Sequence, residues 1–182
     1  MGGVRINSTE KFDMIVIFED DDEELNEELL GIEEIEHALE NINMKFYIKE
    51  SVCSNVVLVE FGKNYLEAAK KLINTTSKKI SRAIPINLVV KTDLDIIIKN
   101  IRDLALEKTD SGDSLSINCE VMNKNNLDAF DIKNAVKDDL KESRLVFDDK
   151  YPKWNIYVVI IGENTGISVL KSHDLTSCCI TK

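Results

Sequence analysis

The sequence predicts an α/β (α+β) fold of two packed units, and two observations predict it. Short apolar runs rich in β-branched residues alternate with stretches whose apolar residues recur every three or four positions. In order these runs read β-α-β-β-α-β, then helix, strand, helix and two strands. At 182 residues the chain suits one large domain or two small ones, and two prolines and seven glycines leave little room for long linkers.

The first unit begins at residues 12–18, FDMIVIF, a buried strand. Residues 19–28 follow with eight acids in ten positions. They read as a solvated loop and helix start, where acids suit the helix dipole, or as a patch for a basic partner or a cation. Leu25, Leu29, Ile32, Ile35, Leu39 and Ile42 then mark one helical stripe, with Gly31 as a candidate break and His37 beside the stripe. Residues 44–48 and 55–61 read as strands joined by a turn at residues 53–55, and Gly62 ends the second. Tyr65, Leu66, Ala69, Leu72 and Ile73 give a short helix, and residues 80–90 are extended, with Pro85 at an edge or bend. This order is ferredoxin-like, and it leaves one sheet face for another element to cover.

The second unit opens on a capping-box variant, residues 92–95, with Thr92 as the expected cap and Asp95 reaching back. The helix buries Leu94, Ile97, Ile98, Ile101, Leu104 and Ala105. Leu115, Ile117, Cys119 and Val121 alternate with Ser116, Asn118 and Glu120, a strand with one buried face. After a turn at residues 123–126, a second helix buries Ile132, Ala135, Val136 and Leu140. Lys133, Lys137, Lys141 and Arg144, at steps of four, four and three, are expected on one face of it. Residues 154–161, apolar on both faces, predict a central strand. Residues 162–166 read as a turn, 167–170 as the last strand, and 172–182 as a loose tail.

Composition excludes several functions. No apolar run approaches the roughly 20 residues that cross a bilayer. The N-terminus lacks the apolar core of a signal peptide, and Asn7 spoils the myristoylation pattern begun by Gly2 and Gly3, so a cytoplasmic location without membrane contact is expected. Cys53, Cys119, Cys178 and Cys179 include no Cys-x-x-Cys pair, and reduced thiols are expected. Only His37 and His173 could serve Ser/His or Cys/His catalysis, and neither lies beside a nucleophile in sequence. His173 with Cys178 and Cys179 is a partial metal set, so no metal, no cofactor and no catalysis are expected.

Charge separates the two units. Residues 1–76 hold 7 Lys and Arg against 17 Asp and Glu, and residues 77–182 hold 16 against 16, so the first stretch carries the whole net charge of −10. Taken alone, −10 argues against a polyanion partner, but the stretch from residue 77 on is not so handicapped. The four-cation stripe is either a solvated face paired with Asp138, Asp139 and Glu142, or a surface that replaces counterions at phosphates. Phe130, Phe147, Tyr151, Trp154 and Tyr157 are the nearby aromatics.

Several segments carry a resemblance: AIPINLVVKTDLDIIIKNI, SLSINCEVMNKNN, DIKNAVKDDL, LVFDDKYPKWNIYVVIIG and the closing GISVL. Together they resemble the THUMP domain, an RNA-binding module of tRNA-modifying enzymes. FDMIVIF, VCSNVVLVEF and RAIPI resemble the ferredoxin-like domain that precedes it. The chain is similar to stand-alone THUMP proteins that assist 4-acetylcytidine formation. The resemblance implies a tail at residues 1–10, a ferredoxin-like domain at 11–90, a THUMP-like domain at 91–171 and a tail at 172–182. It implies a non-catalytic adaptor that binds tRNA for a separate RNA acetyltransferase or other tRNA-modifying enzyme, with no catalytic domain after residue 171. The expected RNA contacts are Lys78, Lys79, Arg82, Asn123, Lys124, Lys133, Lys137, Lys141 and Arg144. Family members usually carry arginine where this chain has Val121 and Met122. The alternative is a protein-interaction scaffold that docks a basic partner on residues 19–28 and has lost RNA affinity.

Overall fold

A computed structural model describes residues 9–19, 27–40, 45–62, 65–74 and 79–175. The acidic residues 20–26, and Lys78, Cys178 and Cys179, lie outside the described residues.

The first unit runs β1 (Met14–Phe18), α1 (Glu27–Glu40), β2 (Phe46–Glu50), β3 (Val56–Phe61), α2 (Tyr65–Asn74) and β4 (Ile80–Pro85). Its sheet has the order β2-β3-β1-β4, with every neighbouring pair antiparallel. Each crossover helix thus joins two strands of like direction separated by one other, which is the ferredoxin-like arrangement.

Gly31 does not break α1. The helix passes through it, and a Cβ there would lie 2.5 Å from the Phe18 ring. The missing side chain lets α1 approach β1, where Phe18 is buried. Gly31→Ala is expected to lower stability by about 1–3 kcal/mol, because overpacking outweighs the helix propensity gain of roughly 1 kcal/mol. Urea unfolding of the two proteins measures it.

The second unit runs β5 (Leu88–Lys91), α3 (Leu94–Lys108), β6 (Ser114–Val121), α4 (Ala129–Asp139), a 3₁₀ turn (Lys141–Ser143), β7 (Val146–Phe147), β8 (Trp154–Ile161), β9 (Asn164–Lys171) and α5 (Ser172–Leu175). Its sheet has the order β5-β9-β8-β6-β7, so β8 is central, as its two apolar faces require. β6 runs parallel to β7 and β8, with α4 as the crossover, and β8 and β9 form a hairpin. The hairpin turn is only Gly162–Glu163, with Gly162 at φ +59°, so the last strand starts earlier than residue 167.

Three local expectations are corrected. The extended stretch at residues 80–90 is two strands in two sheets. Ile86 donates its N–H to Asp13 in one unit, while Asn87 donates its N–H to Ile167 in the other. Asn87 Oδ1 also accepts from Val169 N (2.8 Å) and Lys108 Nζ (2.9 Å), which redirects the chain there. The cap of α3 is Asp93, whose Oδ1 accepts from Ile96 N, while Thr92 Oγ1 pairs with Thr165 Oγ1. Finally, Ser172–Leu175 is one helical turn rather than loose chain. Ser172 Oγ bonds the Pro152 carbonyl, and Asp174 pairs with Lys70 of α2 at 2.9 Å.

The two sheets stack face to face. Met14, Val16, Val57 and Val59 point to α1 and α2, whereas Ile15, Leu58, Ile84 and Ile86 point to Val159 and Ile161 of β8. On the far side of the second sheet, Ile117, Ile156, Val158 and Ile160 meet Ile97, Ile101, Ile132 and Val136 of α3 and α4. The order of layers is helices, sheet, sheet, helices. The exposed face that the ferredoxin-like unit would otherwise leave is covered by the second sheet.

Cys119 sits in the outer core, where burial pushes its thiol up to about 11. In the unfolded chain the thiol ionises near 9.0, its ordinary value. Stability held below pH 9 is therefore lost as pH rises through 11, by about 2 kcal/mol from this group. Cys119→Val removes that part of the alkaline loss, read as a smaller change in the urea midpoint between pH 8 and pH 11.

Candidate nucleic-acid interface

α4 starts at the Asp128 cap, which accepts from Phe130 N at 2.7 Å, and ends at Asp139. Leu140 leaves helical geometry, Ser143 Oγ bonds the Leu140 carbonyl, and Arg144 takes φ +62°. Only Lys133 and Lys137 therefore share a helix face. Lys141 lies on the 3₁₀ turn and Arg144 beyond it, so the four-cation stripe on one helix is corrected to two residues and two followers. The chain turns out of the helix because Arg144 O accepts from Gly112 N and β7 must reach β6.

Their surroundings differ. Lys137 lies 3.8 Å from Asp149 and 5.7 Å from the centre of the Phe147 ring. Lys141 pairs with Asp138 at 2.7 Å on an exposed turn, a contact worth little in water. Among the described residues, Lys124, Lys133 and Arg144 form no ion pair.

The residues expected at the junction are partly committed to the fold. Arg82 makes a two-pronged pair with Glu120, Nη1 to Oε1 at 2.6 Å and Nη2 to Oε2 at 2.8 Å, which ties β4 to β6. Asn123 Oδ1 accepts from Gly162 N at 2.9 Å and holds the β8–β9 turn, leaving its neighbour Lys124 exposed. Val121 packs on the outer core and Met122 on the core between the sheets. Arg82→Ala is expected to cost about 1–3 kcal/mol of stability, since it leaves the Glu120 carboxylate half-buried without its partner. Thermal melts of Arg82→Ala and Arg82→Lys compare loss of the charge with loss of the fork.

A second group converges on the end of the sheet where β6 begins. Lys150 Nζ lies 5.1 Å from the centre of the Tyr151 ring, and Tyr151 is 75% exposed. Lys171 lies 5.4 Å from the Trp154 ring, directly across the β8–β9 ladder. Trp154 Nε1 donates to Asp113 Oδ2 at 2.9 Å, and Lys153 pairs with Asp113 Oδ1 at 2.7 Å. The Lys153 hydrogen bond, helped by the Asp110 amide, holds the Asp113 carboxyl below its usual range. Lys137, Lys141 and Arg144 flank β7 at this same end. Lys124 sits at the other end of β6, about 25 Å away at the usual rise per strand residue.

The result is one surface with cations above three ring faces, Phe147, Tyr151 and Trp154, and with a fully presented tyrosine. Phosphate contacts and base stacking need these two side-chain types together. The sequence signal for Lys171 was available: counting equally back from the Gly162–Glu163 turn pairs it with Trp154. Lys150 and Lys153 sit on a loop, where no periodicity marks them.

Among the described residues no cluster of His, Cys, Asp and Glu could hold a metal, and no helix is long and apolar enough to cross a membrane. The set of His173, Cys178 and Cys179 lies partly outside those residues.

Residues 91–170, from the end of β5 to the end of β9, match the THUMP domain family. This segment is a THUMP domain. A THUMP domain suggests RNA binding and a place in tRNA modification, and the match takes in all of the aromatic and cationic surface described above except Lys171. No curated protein matches the chain. Over 88% of its length it is similar to the crystal structure of PH1313 from Pyrococcus horikoshii Ot3, at 19% identity and a TM-score of 0.71, covering 55% of that chain. It is similar over 88% to a 4-thiouridine synthetase solved as an RNA complex with bound ATP, at 16% identity and a TM-score of 0.59, covering 41% of that chain. TrmN from Thermus thermophilus is similar over 86%, at 13% identity and a TM-score of 0.55, with 45% of that chain covered. The chain thus spans about half the length of these solved proteins. At such identities the likeness shows the fold alone, and it extends over both units of the chain.

Proposed function

We propose that the chain is a non-catalytic adaptor that binds tRNA and presents it to a separate modifying enzyme, an acetyltransferase that forms 4-acetylcytidine. The observation that carries the reading is the THUMP domain at residues 91–170. The fold shared with a synthetase solved bound to RNA supports it. The finer assignment to acetylation rests on the sequence resemblance to stand-alone THUMP proteins.

Phosphates dock on the lysines and Arg144 around β7, and an unpaired base lies on Tyr151. The ferredoxin-like unit carries the acidic excess and repels the backbone, so the RNA approaches from the THUMP side. Sheet-on-sheet packing then fixes the distance from the bound RNA to the rest of the chain.

Gel shifts with transcribed tRNA test the reading. Binding at about 50 mM salt, falling steeply by about 200 mM, is expected. Absence of binding at every salt, alone or with an acetyltransferase, overturns it. In the second arm the enzyme acetylates tRNA faster with the chain than without it, and the chain with acetyl-CoA alone yields no product.

A further inference from the structure

We infer that the acidic unit docks a basic amphipathic segment of a protein partner in the groove between α1 and the β2–β3 turn. The groove has a volume of about 520 Å³ and is walled by Leu29 on the helix and Val52 on the turn, with Ile32, Cys53 and Glu50 between them. Leu29 is 59% exposed and Val52 73% exposed. Leu29 is an apolar side chain held out into water, and Val52, largely exposed, also lies with one methyl against the Gly162 turn of the second unit. Leu29 stands in the first turn of α1. Val52 stands at the tip of a turn closed by Ser51 Oγ, which accepts from Cys53 N at 3.0 Å and bonds the Cys53 carbonyl. One apolar side chain on each wall, with polar Glu50, Ser51 and Ser54 also in the lining, suits a pair of apolar anchors spaced i and i+3 or i+4 on an incoming helix.

Charge selects the occupant. α1 holds six glutamates and no lysine or arginine in 14 residues. Glu33 and Glu36 of α1 are exposed, as is Glu50 in the groove lining. Nucleic acid and anionic lipid are repelled by such a surface. A second copy of the chain would set these carboxylates against themselves, like charge on like. What fits is a cationic protein segment with apolar anchors. The inference goes beyond RNA binding and does not use it, because the groove lies on the helix side of the first sheet while the cationic surface belongs to the second.

The test is fluorescence anisotropy with the full chain and a labelled amphipathic Leu/Lys helical peptide. A scrambled peptide of the same composition and an acidic counterpart are the controls. The Leu/Lys peptide binds, its affinity falls with salt, and the scrambled peptide binds about tenfold more weakly. Leu29→Ser with Val52→Ser, both exposed, lowers the affinity about tenfold with unchanged melting and unchanged tRNA binding. Equal binding of the amphipathic and scrambled peptides, or indifference to the double substitution, overturns the groove and leaves charge alone. Sedimentation showing a dimer that the double substitution abolishes overturns it in favour of self-association. Failure here with tRNA binding intact leaves the RNA reading standing, and the reverse holds as well.

Discussion

Val159→Asp unfolds both halves of the chain together. Val159 is fully buried, lies on the central strand and faces the other sheet across the shared core. A carboxylate there is without a partner and out of water, a cost of several kcal/mol set against a native stability of roughly 5–15 kcal/mol. The expected loss is about 4 kcal/mol or more, and each kcal/mol lowers the melting temperature of a chain this size by about 2–4 °C. Far-UV circular dichroism and the emission of the single tryptophan, Trp154, fall in one transition. Persistence of slow hydrogen exchange in residues 56–59 of the substituted protein would show that the first sheet stands alone, against this account. Val159→Thr, close in shape, is the milder control.

That coupling was only half legible in the sequence. The helical stripe of Ile97, Ile101 and Ala105 and the alternating Leu115, Ile117 and Cys119 gave the outer-core face correctly, because burial on one side imprints a period of two or of 3.6. Ser116 on the other face is buried too, beside Asn155. The break between β4 and β5 left no such imprint. Both flanks of Asn87 are apolar, and either sheet would accept them. Gly31 looked like a helix break because its reason, the Phe18 ring, lies in another element. β7, two residues long, is too short to show a period.

The surface followed the same division. Lys133 and Lys137 were found by helical spacing and do share α4. Lys141 and Arg144 obey that spacing in the sequence, but the helix ends before them. Arg82 looked available for RNA, and its engagement by Glu120, 38 residues away, follows only from the stacking of the two sheets. The approach of Lys150 to the Tyr151 ring and of Lys153 to Asp113 depends on a loop path that no periodicity encodes, whereas Lys171 meets Trp154 through the hairpin register.

Reversing Lys137, Lys141 and Arg144 to Glu weakens tRNA binding by about a hundredfold at low salt, and the slope of log affinity against log salt falls by about two to three. The three flank β7 and each can neutralise a phosphate. Lys137 and Lys141 each face one carboxylate, Asp149 and Asp138, whereas Arg144 forms no ion pair among the described residues, so the largest single loss falls to Arg144. Lys124→Glu, at the far end of β6, changes affinity by a smaller factor. Tyr151→Ala separates stacking from charge: it costs about 1–3 kcal/mol of binding and leaves the salt slope unchanged. Filter binding across a salt series reads both quantities. An affinity of the triple reversal equal to that of the parent removes the β7 surface from the interface. All five positions are exposed or half-buried, so the folds of these proteins are expected to match by circular dichroism.

The stacked sheets also set a timetable for synthesis. The strands of the first sheet lie within residues 14–85, so all of them leave the ribosome well before their cover is made. Ile15, Leu58 and Ile84 then present an apolar face whose cover, β8, begins at residue 154. β5 waits longer, since its sole neighbour is β9. During the interval in which some 70 residues are added, at about 5–20 residues per second, the nascent chain carries these apolar residues without their cover, and the first sheet is covered only when β8 arrives. A chaperone that binds nascent apolar surface has its natural target there, and slowed translation between residues 85 and 154 lengthens the exposure.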